Sequence, residues 1–176
     1  MKTIVSRISV VLAFLLAGAA RPGPAQAQLQ KVQQTVFGMD CAPCAHAMEQ
    51  SLGAMEGVET VSVSLNEGVA AIDLNETNGV VYADVRKVVS NGGFAAKKAT
   101  LKARGAVRRE EDQWILKTPA GEQFVLKTDV KSDSEDVDLQ HLEPSRRATV
   151  TGRIPASPET GDKRWTLRVQ SVRTAT

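Results

Sequence analysis

The stretch Thr35-Val36-Phe37-Gly38-Met39-Asp40-Cys41-Ala42-Pro43-Cys44-Ala45-His46-Ala47-Met48 holds both cysteines of the chain, and its structural period changes part-way along. From Val32 to Gly38 the run is short, carries the β-formers Thr35, Val36 and Phe37, and ends at a glycine, which predicts a strand. After Cys44 the apolar residues Ala45, Met48, Leu52 and Met55 recur at steps of three and four, giving one helix face with Glu49 and Gln50 pointing elsewhere. Gly57 is expected to stop that helix. The two thiols therefore sit in a loop that joins a strand to a helix.

Working outward, Val58, Val61, Val63 and Leu65 alternate with Ser62 and Ser64, Asn66-Glu67-Gly68 makes a turn, and Ala70, Ile72 and Leu74 alternate again, which predicts a β-hairpin. Tyr82, Val85, Val88 and Val89 return to helical spacing, although valine is a mediocre helix former, and Asn91-Gly92-Gly93 ends the run. Phe94 to Leu101 has β-character, with Lys97 and Lys98 outward as protection for an edge strand. The order β-α-β-β-α-β predicts a ferredoxin-like sandwich, with two helices on one face of a four-stranded sheet.

Beyond Gly105 the texture changes. Arg108-Arg109-Glu110-Glu111-Asp112 reads as a charged linker, and Trp114–Thr118 and Glu122–Thr128 flank Pro119-Ala120-Gly121 as a hairpin. An acidic stretch from Lys131 to Asp138 leads to Leu139-Gln140-His141-Leu142, one helical turn ended by Pro144. Val150, Gly152 and Ile154, and then Trp165, Leu167 and Val169, alternate with polar residues across the turn-rich loop Pro155–Lys163. Short strands with a helical turn between the early and late pairs suggest a small OB-like barrel of the Greek-key kind. The expected class is α+β, a ferredoxin-like βαββαβ sandwich followed by a small, mostly-β OB-like barrel. The expected division is 1–27 signal peptide, 28–104 ferredoxin-like domain, 105–112 linker and 113–176 barrel.

The leader reading rests on Lys2 and Arg7 ahead of an apolar run from Ile8 to Ala20, with Ala25-Gln26-Ala27 as the cleavage site. That run is shorter than the roughly 20 residues of a spanning helix, so no stable membrane insertion is expected, and the mature protein should be exported, soluble and periplasmic. Loss of Lys2, Arg7 and Arg21 takes the formal charge from +2 to −1, a balance that argues against nucleic acid as a partner. A cysteine pair this closely spaced closes too small a ring to staple a fold, so its role is chemical.

Thiolates bind soft metal ions, and Cys44 opens a helix whose free N–H groups favour negative charge. With only Cys41 and Cys44 as sulfur ligands, the loop suits ions that accept low coordination, such as Cu(I) or Hg(II), whereas closed zinc sites usually take four ligands.

These motifs together carry a resemblance. The segment from Gln34 to Leu101 resembles a heavy-metal-associated (HMA) domain, the module of copper chaperones, periplasmic mercury scavengers and metal-exporting ATPase tails. The match lies in Val36-x-Gly38-Met39-x-Cys41-x-x-Cys44, the helix after it, Gly57-Val58 and Gly93-Phe94. The resemblance implies a metal loop from which a partner's cysteines take the ion, the partner being a metal-transporting membrane protein or another metal carrier. It implies no catalysis. It also makes Asp40 a candidate third ligand, because copper-type members mostly carry Thr or Ser there and zinc, cadmium and lead exporters often carry Asp. A carboxylate favours divalent ions such as Zn(II) or Cd(II); otherwise Asp40 is a solvated loop residue or helix cap. In the family the residue matching Met39 packs beneath the loop, and the one matching Phe94 sits beside it or in the core. His46 falls where the family carries a solvated residue, and His141 reads as surface.

Two other readings use the same chain. Cys41-Ala42-Pro43-Cys44 is also the C-x-P-C form of thiol–disulfide exchangers in an oxidising compartment. Against this, Gly38-Met39-Asp40 replaces an aromatic, Asp40 would repel a neighbouring thiolate, and the element order is not that of thioredoxin. Alternatively the barrel dominates as a protein-interaction module, with Arg146, Arg147, Arg153, Arg164, Arg168 and Arg173 gathered on one face toward an acidic protein or merely solvated.

Overall fold

The computed structural model describes residues 29–128, 139, 142, 144, 146–157 and 164–174. The expected signal peptide, the acidic stretch 131–138, His141 and most of the 155–163 loop lie outside these residues.

The first half follows the expected order: β1 (Leu29–Phe37), α1 (Ala42–Gly53), β2 (Val58–Ser64), β3 (Val69–Leu74), α2 (Tyr82–Asn91) and β4 (Ala95–Glu110). In β1 the residues Val32, Gln34 and Val36 are buried while Gln33 and Phe37 are exposed, the alternation a strand with one covered face requires. Ala45, Met48 and Leu52 form the buried stripe of α1, and Tyr82, Val85 and Val89 that of α2. Burial of this stripe offsets the weak helix propensity of the valines. The strands lie in the order β2-β3-β1-β4, as in a ferredoxin-like sandwich; α1 packs on β2 and α2, and α2 packs on β4. Gly57 is the turn into β2 instead of the helix stop: its φ is +94, and a Cβ there would strike Asn78.

Four further strands follow, β5 (Gln113–Lys117), β6 (Gln123–Thr128), β7 (Arg147–Ile154) and β8 (Trp165–Thr174). They continue the same eight-stranded sheet in the order β4-β5-β6-β8-β7, and β7 pairs again with β4, so the pairings return to their starting strand. β6 and β8 run parallel, and the other neighbours among these strands are antiparallel. The Leu142 N–H donates to the Leu139 carbonyl at 3.1 Å, and both side chains are buried.

Two expectations are corrected here. The stretch 105–112 is no linker: β4 runs unbroken through Glu110, and only Glu111 and Asp112 form the turn to β5. The cause is a continued alternation in which Leu101, Ala103, Gly105 and Val107 are all buried, so the chain has an apolar row to bury well past Leu101. Nor is β4 an edge strand guarded by Lys97 and Lys98. It pairs with β1 from Ala95 to Ala103 and with β7 from Ala99 to Ala106. Gly105 lets β4 approach β5 and Gly152 lets β7 approach β8, because a Cβ at either would collide with the backbone carbonyl of Lys117 or Arg168 respectively.

Candidate metal centre

Three features of the chain hold the cysteine loop at the end of β1. Gly38 turns out of the strand at φ +90, a left-handed conformation that glycine adopts without a steric penalty. Met39 is buried against the core and pins the loop from beneath, as the resemblance implied. The Val36 N–H donates to the Gly68 carbonyl at 2.7 Å, tying the β2–β3 turn to the same end of the sheet.

Cys41 is the N-cap of α1. Its backbone is extended, and the Cys44 N–H donates to its sulfur at 3.1 Å. Ala42 and Pro43 fill the first helical turn, where proline's missing N–H leaves no bond unmade. The local sequence thus aims a backbone donor and the positive end of a helix dipole at the Cys41 sulfur, an arrangement that favours a thiolate. Cys41 is exposed, and Cys44 is half-buried against the core.

The two sulfurs are joined in a disulfide, with S–S 2.07 Å and Cα–Cα 5.1 Å. In this oxidised state neither is available to a metal, since the ligand is the thiolate. Reduction would release two sulfurs three positions apart at one helix start.

Asp40 is exposed beside them. Among the described residues no three His, Cys, Asp or Glu side chains come together as a ligand group. His46 is exposed, and its ring faces the Gln50 amide at 3.1 Å along α1. Phe94 is partly buried and packs against the core; a Cβ on Gly92 would touch both Phe94 and Met48. On the rim, Phe37 is 67 % exposed with the Lys97 ammonium 5.2 Å from its ring centre.

A second polar constellation escaped sequence reasoning. Gln34 is fully buried: its amide donates to the Lys97 and Lys98 carbonyls and its Oε1 accepts from the Tyr82 hydroxyl at 2.9 Å. The Tyr82 ring meets Trp165 edge-on at 5.3 Å, and the Arg86 guanidinium lies 4.8 Å from the Trp165 ring and donates to the Ala156 carbonyl. Glu122, from the β5–β6 turn, accepts the Tyr82 N–H at the start of α2. Burial pushes the Glu122 carboxyl up to about 7, against the pull of the Tyr82 and Ala83 N–H groups, with nearby Asp84 adding to the rise. The only sequence signal was a glutamine at a core position of β1.

The fold and the loop can be set beside known proteins. The heavy-metal-associated domain pattern matches residues 34–95. The copper chaperone CopZ of Staphylococcus saprophyticus is 32% identical over 62 residues, which are 35% of this chain and 90% of that protein. The chain belongs to the heavy-metal-associated domain family. The HMA match ends at β4, so it speaks for the first half of the chain. The mercuric transport protein periplasmic component of Shigella flexneri is 32% identical over 79 residues, 45% of this chain and 86% of that protein. Copper-transporting ATPase 2 of Homo sapiens is 36% identical over 61 residues, 35% of this chain, but the shared part is only 4% of the ATPase.

Proposed function

We propose that the protein is an exported, soluble carrier of a soft metal ion, held between the thiolates of Cys41 and Cys44 and passed on by ligand exchange. The observation that carries this reading is the placement of both sulfurs at the exposed start of α1, with the Cys44 N–H on the Cys41 sulfur. An open two-sulfur site binds Cu(I) or Hg(II) and still admits an incoming thiolate, and the copper chaperone and mercuric transport relatives support such cargo. The recipient is a metal-transporting membrane protein or another carrier, and the protein acts without catalysis. The site of action is the periplasm after cleavage near Ala27; support comes from the leader-like pattern at 1–27. Among the described residues no helix is long and apolar enough to cross a membrane. Asp40 is the candidate that would widen the site to Zn(II) or Cd(II).

The test is competition of the reduced chain for Cu(I), Hg(II), Zn(II) and Cd(II), with stoichiometry read by native mass spectrometry. One equivalent of Cu(I) or Hg(II) is expected; failure to retain any of the four at micromolar concentration sinks the reading. Unchanged Zn(II) and Cd(II) affinity in Asp40→Ser removes the carboxylate ligand.

A second reading is favoured by the disulfide itself, which puts the C-x-P-C pair in the oxidised form of a thiol–disulfide exchanger. Catalytic turnover of protein disulfides, lost in Cys41→Ser, would establish it over the carrier.

For the chain beyond residue 104 we infer an OB-like barrel. The reading is supported by the return of the pairings β4-β5-β6-β8-β7 to β4 and by the parallel β6–β8 contact. A fold of this kind carries no activity with it, and its surface has to be argued on its own chemistry.

A further inference from the structure

The turn that leaves β3 carries the triplet Asn75-Glu76-Thr77. Asn66, Asn78 and Asn91 are each followed two positions on by glycine or valine, and Asn75 alone by a hydroxyl residue. Asparagine, any residue but proline, then threonine is the acceptor pattern for an N-linked oligosaccharide, which requires a surface position in a chain that crosses a membrane. A triplet is a short signal, and the geometry of this turn adds to it.

The two asparagines of the turn are used differently. Asn78 is buried and engages its whole amide: Nδ2 donates to the Leu29 and Asn75 carbonyls, and Oδ1 accepts the Val80 N–H. It is the residue that holds the turn against the sheet. Asn75 engages only its oxygen, which accepts the Thr77 N–H at 3.1 Å and the Thr77 hydroxyl at 3.3 Å. A backbone N–H can only donate, so these bonds fix which end of the Asn75 amide is oxygen. Its Nδ2 donates to no group among the described residues and is not shut away from water. Glu76 and Thr77 are exposed, Asn75 is half-buried, and Asn75 and Thr77 line an open hollow of about 480 Å³.

We propose that Asn75 is the acceptor of an N-linked oligosaccharide, transferred from a polyprenyl diphosphate-linked donor by a membrane-bound transferase. Nδ2 bonds to the anomeric carbon of the sugar as the bond from that carbon to the diphosphate oxygen breaks. The diphosphate leaves with the electron pair, and one of the two amide hydrogens leaves as a proton to a base of the transferase. Two donors on Oδ1 draw charge out of the amide and ease the loss of that proton, which gives the Thr77 hydroxyl its part. Asn75 lies six residues along the chain from Val69, about 20 Å by the rise of a strand, and Val69 pairs with Thr35 toward the cysteine loop. The glycan therefore stands at the opposite end of the sheet and leaves Cys41 and Cys44 open to a partner. This inference rests on the export part of the proposed function and not on the metal.

The test is intact-mass spectrometry and peptide mapping of the full chain recovered from the exported fraction of its source cells. A chain cleaved near Ala27 is expected, heavier than its sequence by an oligosaccharide that maps to the peptide containing Asn75. Asn75→Gln should abolish the added mass. Thr77→Val should abolish it as well, while Thr77→Ser, which keeps the hydroxyl, should retain it; this pair decides the matter if Asn75→Gln folds poorly, because both leave Asn75 in place. A cleaved chain with a bare Asn75, or added mass that persists in Thr77→Val, overturns the glycan and leaves export standing. A chain that keeps its leader throughout overturns the export reading and the glycan with it.

Discussion

The two helices start in opposite surroundings. α1 is capped by its own residue: the Cys41 sulfur, exposed, takes the Cys44 N–H three positions along. α2 has no side-chain cap of its own at Val81, and its Tyr82 N–H is taken by Glu122, which arrives from 40 residues away across the β4–β5–β6 turns. The contrast separates two uses of a helix dipole. A local cap leaves the sulfur open to solvent and so to metals, oxidants and partner thiols. A cap delivered by tertiary structure shuts the carboxylate in and fixes one half of the chain to the other.

The largest expected effect breaks the first cap chemically without breaking it structurally. Cys41→Ser keeps an N-cap oxygen for the Cys44 N–H but removes one of only two sulfurs. Stoichiometric Cu(I) or Hg(II) binding should vanish in the reduced protein, while chemical denaturation moves by no more than about 0.5 kcal/mol. A parallel loss of stability would mean that the two helix starts are not separable.

Next comes the junction that delivers Glu122. In Gly105→Ala the new methyl meets the Lys117 carbonyl, prising β4 from β5, and about 3 kcal/mol of stability should be lost in urea unfolding. Ordinary stability in that variant would place the close approach of the strands in doubt.

The Glu122 carboxyl supplies a pH test whose sign is fixed. Its folded value is raised to about 7 from 4.5, so the folded state holds a proton that the unfolded chain releases. The resulting stability is complete below about 4.5 and is lost as pH rises through 7, an effect on the order of 2 kcal/mol. Glu122→Gln keeps an acceptor for the Tyr82 N–H and should flatten that slope between pH 5 and 8; an unchanged slope would assign the pH dependence to another group.

The smallest expected effect is that of Tyr82→Phe, which leaves the Oε1 of the fully buried Gln34 without its donor. About 1 to 2 kcal/mol should be lost in thermal unfolding, with metal stoichiometry untouched. Reduced metal binding in this variant would show that the buried network reaches the loop.

How much was legible in the residues follows the same division. The α1 stripe, the β2–β3 hairpin and the cysteine loop are set by neighbours within a few positions, and the chain order alone located them. The reach of β4 was misjudged because Arg108, Arg109, Glu110, Glu111 and Asp112 look like a linker, and only pairing with β5 makes the first three of them strand.

The sequence by itself determined the βαββαβ order and the position of Cys41 and Cys44 between strand and helix. Periodicity and capping act over distances shorter than a helical turn and survive in any single stretch of chain. Only the tertiary structure decided that β4 is shared by both halves, that Glu122 caps α2, and that Gln34, Tyr82, Arg86 and Trp165 meet at one junction. Those contacts depend on which strands pair and in what register, and pairing energy comes from partners far away along the chain.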